Sequence, residues 1–218
     1  MQRIGLFGGS FNPVHTGHLL LAQAAIEELG LTRLCFILAA QSPFKVGQDL
    51  APAAARLQLL RLALAGRTNC EVDEQEIARG GVSFAIDTVR DYARRCPEAE
   101  LFYLIGADNV AALPKWRESA ELARLTGFVI IPRPGDDPAP LPPPFRGRTL
   151  KGLPFGVSSS QIRARVQAGQ SIEHRGPPAV AAKSLFPDRP VIAFAGDGCF
   201  LMNGQEFATA VQYDLPII

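Results

Sequence analysis

The feature that most constrains this chain is a regular alternation of short, nearly continuous apolar runs with segments of helical periodicity. "RIGLF" (3–7) reads as a buried strand, and "HLLLAQAAIEELG" (18–30) as a helix closed by Gly30. "RLCFILAA" (33–40) is the next strand, and "AAARLQLLRLALAG" (53–66) a helix again closed by glycine. "SFAIDTVRDYARRC" (83–96) follows as a helix with Ser83 as its N-cap. Then come a strand at "LFYLIG" (101–106), a helix at "RESAELARL" (117–125) and a strand at "GFVIIP" (127–132). Strands this apolar must be covered on both faces, so the pattern predicts an α/β protein with a parallel sheet between helices. Ligands of such sheets lie outside the carboxyl ends of the strands. The glycines after "RIGLF" and the "GAD" after "LFYLI" both fall there.

"PRPGDDPAPLPPPFRGR" (132–148) is too rich in proline for helix or sheet interior and is expected to be a loop or lid. "VSSSQIRARVQAG" (157–169) reads as a helix whose serines open the first turn. The net charge of +1 excludes a generally polyanion-seeking surface, so neither nucleic acid nor membrane is an expected partner. Any anion must be held by a local site. Cys35, Cys70, Cys96 and Cys199 are scattered without a CxxC pair, which argues against a zinc site or a disulfide framework. With no signal peptide and no apolar run near the ~18 residues of a spanning helix, a cytoplasmic protein is expected.

The chemistry concentrates in "GLFGGSFNPVHTGH" (5–18). Gly8 and Gly9 would let the backbone turn sharply and approach a ligand. A helix starting near Gly17 would offer unpaired N–H groups to a phosphate. His15 and His18, three residues apart, could converge on that phosphate as donors. No cysteine or carboxylate stands nearby to complete a metal site, so no protein-bound metal is expected.

"GGSFNPVHTGHL" resembles the HxGH motif of nucleotidyltransferases, in the form used by bacterial nicotinate-nucleotide adenylyltransferases. "RGGVSFAIDTV" (79–89), "GADNVAALPKW" (106–116), "VIIPRPG" (129–135) and "VSSSQIRARV" (157–166) are similar to later segments of the same family, in the same order. The resemblance implies a Rossmann-like, doubly wound parallel sheet over residues 1–174. It implies adenylyl transfer from ATP to nicotinate mononucleotide, giving nicotinate adenine dinucleotide and pyrophosphate in NAD biosynthesis. His15 and His18 would then be the catalytic donors. Gly8, Gly9, Ser10, Phe11, Asp108, Ser158, Ser159, Ser160 and Arg163 would hold ATP. Lys45, Phe84, Ala85, Thr88, Trp116 and Arg133 would hold nicotinate mononucleotide, with Trp116 stacked on the pyridine. Mg²⁺ would arrive on the triphosphate rather than in a carboxylate cage. The family more often has Ser-Tyr-Thr where this chain has Ser83-Phe84-Ala85, which leaves a nicotinamide mononucleotide substrate as an alternative. A phosphopantetheine substrate and a non-catalytic nucleotide-binding remnant are further alternatives. Oligomeric state is not legible.

Residues 175–218 have a different character. "AAKSLFPDRPVIAFAGDGCFLMNGQEFATAVQYDLPII" resembles the cofactor-binding segment of thiamine-diphosphate enzymes of the acetolactate synthase or glyoxylate carboligase type. That resemblance makes Asp197, in "GDG", the first ligand of a diphosphate-bound metal. The remaining ligands and the activating glutamate have no counterpart in these residues. The expectation is a foreign-looking tail on a nucleotidyltransferase domain, without thiamine-dependent chemistry.

Overall fold

Five parallel pairings build one six-stranded sheet in the order β3-β2-β1-β4-β5-β6. The strands are β1 (Arg3–Gly9), β2 (Arg33–Leu38), β3 (Cys70–Asp73), β4 (Glu100–Gly106), β5 (Gly127–Ile131) and β6 (Gly147–Thr149). The helices are α1 (Thr16–Leu29), α2 (Ala53–Leu64), α3 (Gln75–Arg79), α4 (Ala85–Arg95), α5 (Ser119–Leu125) and α6 (Ser159–Gln167), with a 3₁₀ helix at Ala107–Lys115. The computed structural model describes residues 1–43, 50–132, 139–152, 156–172 and 175. The chain therefore has the doubly wound, Rossmann-like α/β architecture expected from its alternation. Its winding reverses between the adjacent β1 and β4, the place where such sheets bind ligands.

The described residues fall into two compact units. The first takes those of Met1–Ser10, Leu19–Gln48 and Thr68–Gly156; the second takes those of Phe11–His18, Asp49–Arg67 and Val157 onward. In the first, Ile4, Leu6, Cys35, Ile37, Leu101, Tyr103, Ile105, Phe128 and Ile130 form the buried middle of the sheet. Helix α4 packs on this core through Ile86, Val89 and Tyr92, whose spacing of three puts them on one face. Arg90 on the opposite side pairs with Glu118 and Glu121 and ties α4 to α5. In the second unit, α2 buries Leu59, Leu60, Ala63 and Leu64, again at helical spacing.

Three features depart from expectation. β3 and α3 were not foreseen, because "CEVD" and "QEIAR" are too short and polar to stand out. The proline-rich stretch does not stay irregular to its end: Gly147–Thr149 pairs with β5 as the edge strand, where prolines upstream cost no ladder bond. Ser83 does not cap α4. Phe84 holds that position, and the Ser83 hydroxyl instead accepts from the Ala40 N–H at 3.0 Å. Among the described residues no helix is long and apolar enough to cross a membrane, and Cys35, Cys70 and Cys96 form no disulfide there.

Candidate active site

The motif after β1 makes its sharp turn one step later than the glycines suggest. Gly8 and Gly9 belong to the extended strand, and neither has a positive φ. Left-handed backbone falls instead on Phe11, at φ 40°, a conformation that costs a bulky residue strain and persists only when its surroundings demand it. The glycine at position 8 answers a steric need inside the protein: a Cβ there would lie 2.6 Å from the Tyr103 hydroxyl. Ser10, at the carboxyl end of β1, is buried.

From Phe11 the chain enters the second unit, and the two histidines come together. His15 precedes α1 and His18 lies in its first turn. Their rings lie against each other with centroids 3.7 Å apart and planes tilted by 33°, and Phe11 packs edge-on against His18 at 5.1 Å. The His15 backbone N–H donates to His18 Nδ1 at 3.1 Å. That bond requires an unprotonated Nδ1, so the neutral His18 ring carries its proton on Nε2. Burial pushes the His15 imidazole down to about 4, which keeps it neutral beside its partner. His15 Nδ1 is buried with no hydrogen-bond partner among the described residues. Gly17 sits close to this ring: a Cβ there would stand 3.0 Å from His15 Nδ1, so the imidazole would have to give by a few tenths of an ångström. A neutral imidazole has one N–H to donate, a group that suits a phosphate oxygen.

The N-terminus of α1 is less open than expected. The Thr16 N–H already donates to the Arg175 carbonyl at 3.0 Å, and the His18 N–H to the His15 carbonyl at 2.9 Å. Side chains of α6 converge on the same turn. The Ser159 hydroxyl donates to the Pro13 carbonyl at 2.8 Å, and Arg163 donates to the Asn12 carbonyl at 2.6 Å and to the Ser160 hydroxyl at 3.2 Å. Ser158 serves α6 as its N-cap, in a capping box with Gln161. Phe11, His15, His18, Ser159, Ser160 and Arg163 are thus assembled around one turn. Asn12, buried at that turn, was missed by the sequence reading although it lies inside the motif. Its side-chain oxygen accepts from the Ala51 N–H.

The other site residues belong to the first unit. Asp108 is exposed in the first turn of the 3₁₀ helix that leaves β4. Trp116 ends that helix, half-buried against the core and edge-on to Tyr103 at 6.2 Å. Phe84 and Ala85 open α4, where backbone N–H groups point out of the helix, and the Arg117 guanidinium lies 4.9 Å over the Phe84 ring. Thr88, expected to bind nicotinate mononucleotide, lies on α4 with its side chain turned into the protein. It is fully buried, and its hydroxyl donates to Glu76 at 2.6 Å while accepting from Arg79 at 3.0 Å. Nothing local in the sequence marks Glu76, a buried carboxyl whose pKa burial raises above its ordinary range. Lys45 and Arg133 lie outside the described residues.

Comparison with known proteins bears on the same residues. A family model described as cytidylyltransferase-like matches residues 6–165. A second, the C-terminal TPP-binding domain of thiamine pyrophosphate enzymes, matches residues 167–218. A protein of Dehalococcoides mccartyi named "Probable nicotinate-nucleotide adenylyltransferase" is 38% identical, covering 83% of this chain and 93% of its own length. Proteins of the same name from Gemmatimonas aurantiaca and Thermus thermophilus are 42% and 40% identical, covering 83% and 82% of this chain and 88% and 94% of their own lengths. Among solved structures, the Plasmodium falciparum nicotinic acid mononucleotide adenylyltransferase in complex with NaAD shares the fold, with a TM-score of 0.70 at 16% identity over 86% of this chain and 96% of that one. On sequence likeness across most of its length, backed by the fold, the chain belongs to the nicotinate-nucleotide adenylyltransferases, nucleotidyltransferases of NAD biosynthesis.

Proposed function

We propose that the turn Phe11–His18 and helix α6 hold the phosphates of ATP while a phosphate oxygen of nicotinate mononucleotide attacks the α-phosphorus in line. The new P–O bond forms as the bond to the β-phosphate oxygen breaks, and pyrophosphate leaves with the electron pair. His18 Nε2–H and the neutral His15 ring donate to oxygens that gain charge in the transition state. Arg163 and Ser160 take the departing phosphates, for which a planar guanidinium and a hydroxyl that only accepts within the protein are suited donors, and Ser159, its hydroxyl proton given to Pro13, offers its backbone N–H at the start of α6. No covalent intermediate on the protein is involved, so the residues act by positioning and by charge stabilisation. Mg²⁺ supplies charge neutralisation on the triphosphate when bound. The imidazoles, hydroxyls and guanidinium of this site match phosphate oxygens, so the ion is brought by the nucleotide. Phe84 and Ala85 at the start of α4 take the nicotinate carboxylate on backbone N–H groups, Trp116 stacks on the pyridine, and Asp108 bonds the ATP ribose.

The observation that carries this reading is that Ser159 and Arg163 of α6 bond to Asn12–Pro13, in the same short segment that pairs the rings of His15 and His18. Pyrophosphate release from ATP, with nicotinate and nicotinamide mononucleotides compared side by side, tests it. Release with the acid substrate, reduced about 10²- to 10³-fold by His18→Ala, is expected. Equal use of the amide would overturn the acid preference. Release that His18→Ala leaves intact would overturn the site.

A further inference from the structure

Arg163 is held by a carbonyl, and that carbonyl belongs to a residue whose own side chain is fixed. Asn12 is buried at 6% exposure, and its C=O accepts from Arg163 at 2.6 Å. Its side-chain Oδ1 accepts from the Ala51 N–H at 3.2 Å. The Ala51 carbonyl in turn accepts from Arg56 Nε at 2.9 Å, and Arg56 is a guanidinium at 2% exposure in the first turn of α2. Burial lowers the Arg56 pKa without removing its charge. A buried arginine and a buried asparagine are costly unless their hydrogen bonds are made. Here their bonds run in series, from α2 through Ala51 to Asn12 and on to the guanidinium of α6.

We infer that Asn12 is a positioning residue for adenylyl transfer: clamped by Ala51 and Arg56, it presents its carbonyl so that Arg163 is aimed at the ATP phosphates. The inference rests on the assignment of Arg163 to those phosphates. The side chain of Asn12 does not itself touch substrate. It keeps the peptide that orients a long, rotamer-rich side chain in one place, so that this freedom is lost before ATP binds rather than upon binding. Its effect must therefore be felt by ATP and not by nicotinate mononucleotide, and must vanish once Arg163 is gone.

Steady-state kinetics on the full chain separate these outcomes. Asn12→Ala is expected to lower kcat/KM for ATP about ten- to a hundred-fold, with the KM for nicotinate mononucleotide unchanged. Asn12→Asp keeps an oxygen acceptor for the Ala51 N–H and is expected to restore most of that loss. Asn12→Ala/Arg163→Ala should be no worse than Arg163→Ala alone. Multiplying losses in the double variant, or a loss shared equally by both substrates, would overturn the inference. Should Asn12→Ala fail to fold, Asn12→Asp and Arg56→Lys decide: the first must keep the ATP parameters, and the second must lose on ATP alone. Arg163→Ala without effect on ATP kinetics sinks the underlying phosphate assignment. A damaged Arg163→Ala beside an unaffected Asn12→Ala sinks only the relay.

Discussion

At 6% exposure the His15 imidazole protonates only near pH 4, because burial disfavours its charged form. In the unfolded chain the same group protonates near 6.5. Between these values the unfolded state binds more protons, so stability rises with pH across that window. The contribution is complete above about 6.5 and is lost as pH falls toward 4; at about 1.4 kcal/mol per pH unit it amounts to about 3 kcal/mol. Thermal melts between pH 7 and pH 4 should therefore show a falling Tm, and His15→Gln should flatten that fall. An unchanged slope in the variant would mean that other groups carry the acid sensitivity. The two histidines were legible as a pair from their spacing. Their ring contact, their neutral state and the Nε2 tautomer of His18 were not, because these depend on what surrounds the rings.

At the scale of elements, the strands and helices of the first unit follow from apolar runs and helical spacing, and most were readable within a few residues. The reasons behind particular residues were less so. Gly8 looked like a turn glycine shaped by its ligand, yet it sits in β1 beside the hydroxyl of Tyr103 on the neighbouring strand β4. Gly8→Ala is expected to destabilise by about 1–3 kcal/mol through overpacking. Tyr103→Phe in the same chain should relieve much of it, since the ring carbon Cζ lies 3.4 Å from the added methyl while the hydroxyl lies at 2.6 Å. Denaturant unfolding of the single and double variants checks this. Additive losses would mean that the clash is elsewhere. Thr88 shows the converse case: its hydroxyl, expected at a ligand, is bonded within the protein to Glu76 and Arg79. Apolar spacing gives the core face of α4, but the polar partner that Thr88 meets beside that face depends on α3 and its buried Glu76.

At the scale of the whole molecule, we read residues 1–174 as the nucleotidyltransferase domain and 175–218 as an added segment. The family models meet between residues 165 and 167, a few residues earlier. Arg175 at this junction does something structural, accepting the first N–H of α1 beside the histidines. A chain ending after Arg175 keeps that carbonyl and is expected to release pyrophosphate as fast as the full chain. Loss of activity in that shortened chain, with its fold intact by circular dichroism, would show that the later residues contribute to catalysis. What the sequence determined by itself was the class of fold and the chemistry: apolar periodicity dictates a covered parallel sheet, and an ordered set of motifs dictates the family. What only the tertiary structure decided was which partners anchor the polar groups of the site. Hydrogen bonds such as Arg163 to Asn12 and Ser159 to Pro13 join residues 151 and 146 positions apart, and no local pattern encodes a partner at such separation.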